Sequence, residues 1–556
     1  MLEAFFCGNS WNRTNDTSIF SAVLYQLSYV AVSPPQKVAL GTAKVRIQNH
    51  DARSRVKKVL AVRLSPKKTI RHADYISGCK PFRFLTFTRM LQPILFLLLL
   101  VAAFGLFAWQ VRKIRANILV GRERDMSGHA AERFRKTLLV AFGQQKMFKR
   151  LTPALLHLVV YVGFLVINIE VIEIIIDGIF GNIFGFHRSL KFLGPLYDVL
   201  MATNEILAAL VIVAVAAFWW RRNRTAPVKR FTGVELRAWP RLDANVILYI
   251  EVILMVALFF MNTADLKLHQ MLGEDLPGTF PISNLLVGLL PSNADTLHVL
   301  ERIGWWAHIT GIFLFLNYLP SSKHFHIIIS FPNVWYSRLV PQGQFSNVES
   351  ITHEVKAMMD PSYVVPAPPT EPDGSALAPT PFGAKDVEDL PWTNLMNAYS
   401  CTECGRCTSV CPANLTGKLL SPRKIIMDTR DRMEEKYNSP LIFRPNVYGE
   451  EAKHEPITDL ANATLLRGKV TPEELWACTT CNACVESCPV NINPLESIIE
   501  MRRFLVLEES AAPNSLNVMF SNIENNGAPW AFSPSDRFNW ADDLFAAKKP
   551  ATATIA

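Results

Sequence analysis

The chain has 556 residues, half of them hydrophobic, with a positive mean hydropathy and a formal net charge of +9. That length accommodates two or more domains, and that hydropathy argues against a wholly water-soluble protein. The charge does not mark a nucleic-acid binder: residues 1–89 hold 15 Lys and Arg against 4 Asp and Glu, the remainder 42 against 44, so no basic face for a phosphate backbone extends beyond one terminal stretch.

In chain order, residues 1–89 come first and show no sustained helical or strand period. Arg-rich and acid-poor, they have the composition of a transit peptide. The segment WNRTNDTSIFSAVLYQLSYVA also resembles peptides made by reading through a transfer-RNA gene, and a hydrophobic run begins at Met90. The expectation is an N-terminal extension ahead of a start at Met90, with an intact mass below the 62.5 kDa of the full chain.

Five stretches are long and apolar enough to cross a bilayer, which takes about 20 residues. They run near Met90–Gln110, Thr152–Ile176, Leu196–Trp220, Ala244–Asn262 and Leu297–Pro320. The run ISNLLVGLL is too short to span and reads as an interfacial piece. The connection from Val111 to Leu151 carries 11 Lys and Arg and that from Arg221 to Asp243 carries 7, against two and one on the other side. Basic loops face the cytoplasm, so everything after the fifth span is expected there, on a multi-pass protein of a bacterial inner (cytoplasmic) membrane. The expected division is a transmembrane domain over 90–335, a collar and Pro/Ala-rich linker over 336–385, a ferredoxin-type domain over 386–508 and a tail over 509–556.

Histidines within such spans are expensive and rarely idle. His157 lies just inside the basic end of span two and His326 at the basic end of span five. Matched in depth on different helices, they form a candidate axial pair for one b-type haem. His308 lies 18 residues before His326, which is five turns of an α-helix, so the two share one face about 27 Å apart unless Pro320 kinks the helix and shifts these phases. His324 then points some 160° elsewhere and reads, with His187, as an interfacial anchor. Glu170, Glu173 and Asp177 at the other end of span two, with Lys191 across the loop, are candidates for a quinone site, because quinone chemistry couples electrons to protons; ordinary interfacial charge is the competing reading.

The layout and the run HITGIFLFLNYLPSSKHFH resemble the haem b membrane subunit of respiratory nitrate reductases, the NarI-like gamma subunit, over roughly Met90 to Ser330. That family places two ligand histidines 18 apart on the fifth span with a Pro between, matched by His308, Pro320 and His326, and two more ten apart on the second span. His157 matches the first of those, but the position ten later is Ile167, which cannot bind iron. The resemblance therefore implies one complete haem site. It leaves His308 to a second haem with another partner, for which His187 in the loop GFHRSL is a candidate, to a quinone contact, or to a hydrogen-bonded place in the core.

Eight of the ten cysteines fall in CTECGRCTSVCP and CTTCNACVESCP; Cys7 and Cys79 lie in the N-terminal stretch. Clustering of this kind reads as metal binding in a reducing compartment. Both runs have the spacing C-x2-C-x2-C-x3-C-P, in which the fourth cysteine serves the other cluster. The expected sets are Cys401, Cys404, Cys407 and Cys488 for one [4Fe–4S] cluster, and Cys478, Cys481, Cys484 and Cys411 for the other. Zinc sites commonly use two C-x2-C pairs and do not account for the doubled four-cysteine run. Helical segments are expected at SPRKIIMDTRDRMEEKY and TPEELWAC, and Lys418, Pro422 and Arg423 are expected around the first cluster. The domain resembles the α-helical ferredoxin of succinate dehydrogenase iron–sulfur subunits and heterodisulfide-reductase-like C subunits. No flavin or nicotinamide glycine fingerprint and no Cys-Cys pair occurs.

The expected fold is thus all-α: a five-span helical bundle followed by a cytoplasmic α-helical ferredoxin with two cubane clusters. The expected function is electron transfer between a soluble redox partner and the (mena)quinone pool through two [4Fe–4S] clusters and one b-type haem, or two. By resemblance the set looks like the membrane oxidoreductases serving electron-transfer flavoproteins, with any CCG-module protein supplied as a separate subunit. The alternatives are a quinol-linked subunit of a heterodisulfide-like thiol reductase and a non-catalytic redox sensor.

Overall fold

The computed structural model describes residues 82–181, 187–225, 233–236, 239–366, 381–437 and 464–546. The expected N-terminal extension up to residue 81, most of the Pro/Ala-rich stretch (367–380) and much of the insert between the cysteine runs (438–463) lie outside the described residues.

Among the described residues the fold is helical, with no named strand. Five helices are long and apolar enough to cross a membrane: α1 (Phe82–Ile118), α2 (Leu151–Ile176), α3 (Pro195–Asn223), α4 (Trp239–Leu272) and α5 (Ala294–Tyr318). Helices α1, α3 and α4 outrun their expected apolar cores at both ends, because helical hydrogen bonding continues past the point where hydrophobicity stops, whereas α5 ends two residues before the expected Pro320. Local signals set the starts. Pro195 opens α3 after Gly194, whose φ of 58° is one that glycine adopts without steric cost. The Asn293 side chain caps α5 by accepting from the Thr296 amide at 2.9 Å.

The bundle closes through small residues. A Cβ added at Gly163 on α2 would stand 2.7 Å from Val211 on α3, and one at Gly304 on α5 would meet the Met261 backbone at 3.0 Å. Such close approach is the usual device where helices cannot gain from water exclusion. Large apolar side chains on the outer faces, such as Leu98, Val101, Val213 and Ile253, are left exposed, as expected of surfaces solvated by lipid. The run ISNLLVGLL forms a short helix, Pro281–Leu286, and a single 3-10 turn.

The five-turn phase between His308 and His326 does not hold, because the helix breaks at Pro320. Helix α5 stops at Tyr318, the chain makes two 3-10 turns at Leu319–Ser321 and Lys323–Phe325, and α6 (His326–Trp335) restarts at His326. Pro320 lies in the first turn, where it lacks the N–H an α-helix needs and its ring clashes with the preceding turn. The Ser322 hydroxyl accepts from the His324 amide at 3.1 Å and so stabilises the break. The relative facing of the three histidines is therefore set by this turn, not by five helical turns.

The ferredoxin part packs on the end of the bundle that carries the basic loops. Its elements include α7 (Trp392–Tyr399), α8 (Arg406–Val410), α9 (Pro422–Lys436), α10 (Ala483–Ser487) and α11 (Pro494–Arg503). Ser421 caps α9, and a reciprocal Thr471–Glu474 capping box opens the helix Pro472–Trp476. One hydrophobic core runs through both parts: Ile114 and Ile118 of α1, with Phe325 and Ile329 after the break, join Leu395, Ile425 and Ile498. Basic loop residues and one from α1 complete the junction. Arg122 and Arg124 pair with Glu500 and Glu496 on α11, Arg150 donates to Ser409, and Asn117 of α1 donates to Tyr399.

Candidate functional site

The two cysteine runs fold as near copies. Glu403 and Thr480 both take positive φ, 54° and 57°. Their amides reach back to Cys401 Sγ and Cys478 Sγ, each at 3.4 Å. Gly405 and Asn482, at φ 68° and 59°, then open the one-turn helices α8 and α10. Positive φ is natural for Gly and tolerated by Asn, which explains those residues in the second variable pair of each run. Helices α8 and α10 pack against each other, which carries the fourth cysteine of each run to the opposite loop.

One cavity is lined by Cys401, Cys404, Cys407 and Cys488 and by no other cysteine. Burial, together with the neighbouring Cys404, Cys401 and Cys488, pushes the Cys407 thiol well up. Burial with Cys478 and then Cys411 pushes the Cys484 thiol up to about 12. Thiols so placed ionise only when bound metal supplies positive charge. All eight are free of disulfides. Arg423, buried, lines the cavity and pairs with Glu235 at 2.7 Å, and Pro422 is buried at the first turn of α9. Lys418 stands exposed on a turn and is not among the lining residues.

The histidines His157 and His326 face each other across the bundle, ring centroids 6.4 Å apart. A ligating imidazole nitrogen sits about 2 Å from its metal and the ring centre about 1 Å further, so two rings flanking one ion stand about 6 Å apart. His157 Nδ1 donates to Gln144 Oε1 at 3.0 Å and His326 Nδ1 to the Lys323 carbonyl at 3.1 Å. With the proton held on Nδ1, each Nε2 keeps its lone pair for a metal. The pair fits the axial ligation of a haem iron. His324, expected to point away as an interfacial anchor, instead lies beside the pair. Its ring lies 5.4 Å from that of His326, and its Nε2 is 3.8 Å from Glu251 Oε1 on α4.

Lys323 ties this pocket to the first cysteine loop. Its carbonyl holds His326, while its ammonium bonds the Glu403 carboxylate, which also takes Arg430 at 2.9 Å. Burial alone would raise the Glu403 carboxyl, but Lys323 and Arg430 outweigh it and hold the group at about 2. From the ring of His326 to Cys401 Sγ the contacts are continuous.

At the far end, His308 is buried, its Nδ1 donating to the Leu254 carbonyl at 2.9 Å and its Nε2 without a partner. Ile167, where the family's second ligand would stand, packs in a core with Trp305 and Ile309. His187 is engaged elsewhere: it contacts Asp265 at 3.2 Å and stacks on His269. Glu170 and Glu173 converge on Arg188, at 2.9 and 3.9 Å, and Asp265 joins at 3.3 Å. Asp177 accepts from the Arg188 and Ser189 amides, while Lys191 is exposed and bonds the Leu276 carbonyl. Arg188 was missed from sequence, since nothing local marks a surface-loop arginine as the centre of three carboxylates. Removing one partner of a buried charge set strands the others, at about 3–5 kcal/mol. Arg188→Met is therefore expected to lower stability by about that much, read by denaturant unfolding in detergent; an unchanged midpoint would contradict the network's role.

Comparison with known proteins bears on the ferredoxin part most strongly. Residues 400–492 match the family described as 4Fe-4S dicluster domain. Over 477 residues, 83% of this chain and 62% of the relative, the chain is 29% identical to the "Probable iron-sulfur-binding oxidoreductase FadF" of Bacillus subtilis. It is 26% identical over 481 residues, 83% of this chain and 60% of the relative, to the "EtfAB:quinone oxidoreductase" of Syntrophomonas wolfei. A "Probable membrane-anchored ferredoxin" of Chromohalobacter salexigens is 38% identical over 174 residues, 30% of this chain and 25% of the relative. The chain thus spans about three fifths of the length of the first two relatives. No solved structure matches it. The chain carries an iron–sulfur domain of the 4Fe-4S type on a helical protein with five candidate membrane spans.

Proposed function

We propose that the protein is a membrane electron-transfer subunit that links a soluble redox partner to the quinone pool. In this reading Cys401, Cys404, Cys407 and Cys488 hold one [4Fe–4S] cluster, and Cys478, Cys481, Cys484 and Cys411 hold the other. His157 and His326 hold one b-type haem in a NarI-like bundle. Bound there, these groups would supply one-electron redox chemistry. The chain's own residues set their spacing, exclude water and tune them: backbone amides on Cys401 and Cys478 stabilise negative charge on sulfur, and Gln144 and the Lys323 carbonyl fix the imidazoles.

The observation that carries this reading is the juxtaposition at one end of the bundle. The facing histidine pair and the four-cysteine cavity belong to loops joined directly through Lys323 and Glu403. By the distribution of basic loops, that end is cytoplasmic. A relative named as an EtfAB:quinone oxidoreductase supports an electron-transfer flavoprotein as the soluble partner. The packing of Ile167 supports a single haem.

Membranes containing the protein test the function. A reduced electron-transfer flavoprotein or a menaquinol analogue is expected to reduce the haem b band rapidly. A band that responds to no quinol and no reduced flavoprotein defeats the reading.

A further inference from the structure

Glu251 lies inside α4, among residues that the bilayer would surround. A carboxyl group there is costly and calls for a use. His324 comes within ion-pair range of it, with Nε2 and Oε1 3.8 Å apart. That is too long for a hydrogen bond. An oxygen about 2.8 Å from each group could bridge them, at an angle of about 85° at that oxygen.

The surroundings indicate what brings that oxygen. The Phe315 ring stands 5.5 Å from the His324 ring and offers a flat apolar wall. Glu251 and His324 are each partly accessible, and the helix faces beside them expose Tyr249, Ile253, Leu314 and Ile328. The surface beside the pair is thus largely apolar and faces the side where lipid would lie. His324 in turn packs edge-on against the ring of His326.

We propose that Glu251, His324 and Phe315 form a binding site for the headgroup of a quinone, entered from the bilayer at the ferredoxin end of the bundle. One headgroup oxygen sits between Glu251 and His324, and the ring lies along Phe315. This location differs from the far-end carboxylates singled out from sequence. Glu170 is 13 residues beyond His157 on the same helix, roughly 20 Å along its axis, and is already engaged by Arg188. Electron exchange falls steeply with distance, and the Glu251 site adjoins the histidine pair.

The proposal rests on the electron-transfer reading above, and its test separates the two. Purified full-length protein is titrated with menadione, a naphthoquinone, with binding followed by equilibrium dialysis and the haem band recorded in parallel. Glu251→Gln and His324→Leu are expected to keep the haem band and to weaken menadione binding about tenfold or more, the loss of a hydrogen bond in a membrane site. Phe315→Leu, which leaves the polar pair intact, is expected to weaken it severalfold, and serves if a polar variant fails to accumulate.

Unchanged binding in these variants overturns the proposal and leaves a bridging water as the shared oxygen. Loss of the haem band itself also overturns it, since the residues then belong to the haem pocket. Weakening by Glu170→Gln in place of Glu251→Gln moves the headgroup to the far end. A wild-type protein that shows no b-type band, or whose band no quinol reduces, fails the electron-transfer reading instead.

Discussion

Replacing His326 or His157 by Ala is expected to abolish the b-type haem band entirely, while His324→Ala leaves it in place. Each of the paired rings presents one lone pair, because Gln144 and the Lys323 carbonyl occupy the other nitrogen. Loss of either ring leaves the iron with one protein ligand. Gln144→Leu is expected to be milder, about 10–100-fold in haem affinity, since it frees the tautomer without removing a ligand. Optical spectra and haem content of the purified variants check this. Bleaching by His324→Ala with the band intact in His326→Ala would reverse the assignment. The two rings are close enough, at 5.4 Å, for that comparison to be needed.

The second large effect concerns which cysteine serves which cluster. Cys488→Ala is expected to remove the cluster bound by the first run, 77 residues away from Cys411 in sequence, and to spare the one bound by the second run. Cys411→Ala is expected to do the converse. The cavity holding Cys401, Cys404 and Cys407 takes Cys488 as its fourth thiol, and the Cys484 thiol is pushed up by burial and by Cys478 and Cys411. Electron paramagnetic resonance distinguishes the outcomes if the two clusters differ in signal, and they differ in surroundings: Glu403, Arg430 and Arg423 flank the first, Arg502 and Trp476 the second. If Cys488→Ala instead erased the signal belonging to Cys478, Cys481 and Cys484, the crosswise arrangement would be refuted.

The features that could be read from sequence are those written in local pattern. An apolar run long enough for a bilayer needs no partner to be recognised, and four cysteines in fixed spacing specify their own loop. His157 and His326 could be matched because depth in a span can be counted from the basic ends. What could not be read depends on where the chain breaks and what then meets across it. Pro320 was visible, but the extent of the break at 319–325 follows from the Ser322 cap as well, and it re-aims His324 and His326. Glu403 and Lys323 are 80 residues apart and meet only when the ferredoxin docks. Arg188 collects Glu170, Glu173 and Asp265 from two helices. Glu251 is a single acid in an apolar run, and only its proximity to His324 gives it a role. Long-range pairing of charged side chains leaves no period in the sequence, so these residues emerge from the fold alone.

The most direct measurement of the central claim is a redox-titrated optical and paramagnetic-resonance spectrum of the purified protein, with iron and haem counted on the same sample. Eight cluster irons and one b-type haem per chain are expected, with the haem lost in His157→Ala. A protein that binds iron–sulfur clusters but no haem, or whose haem persists without His157, would contradict the account.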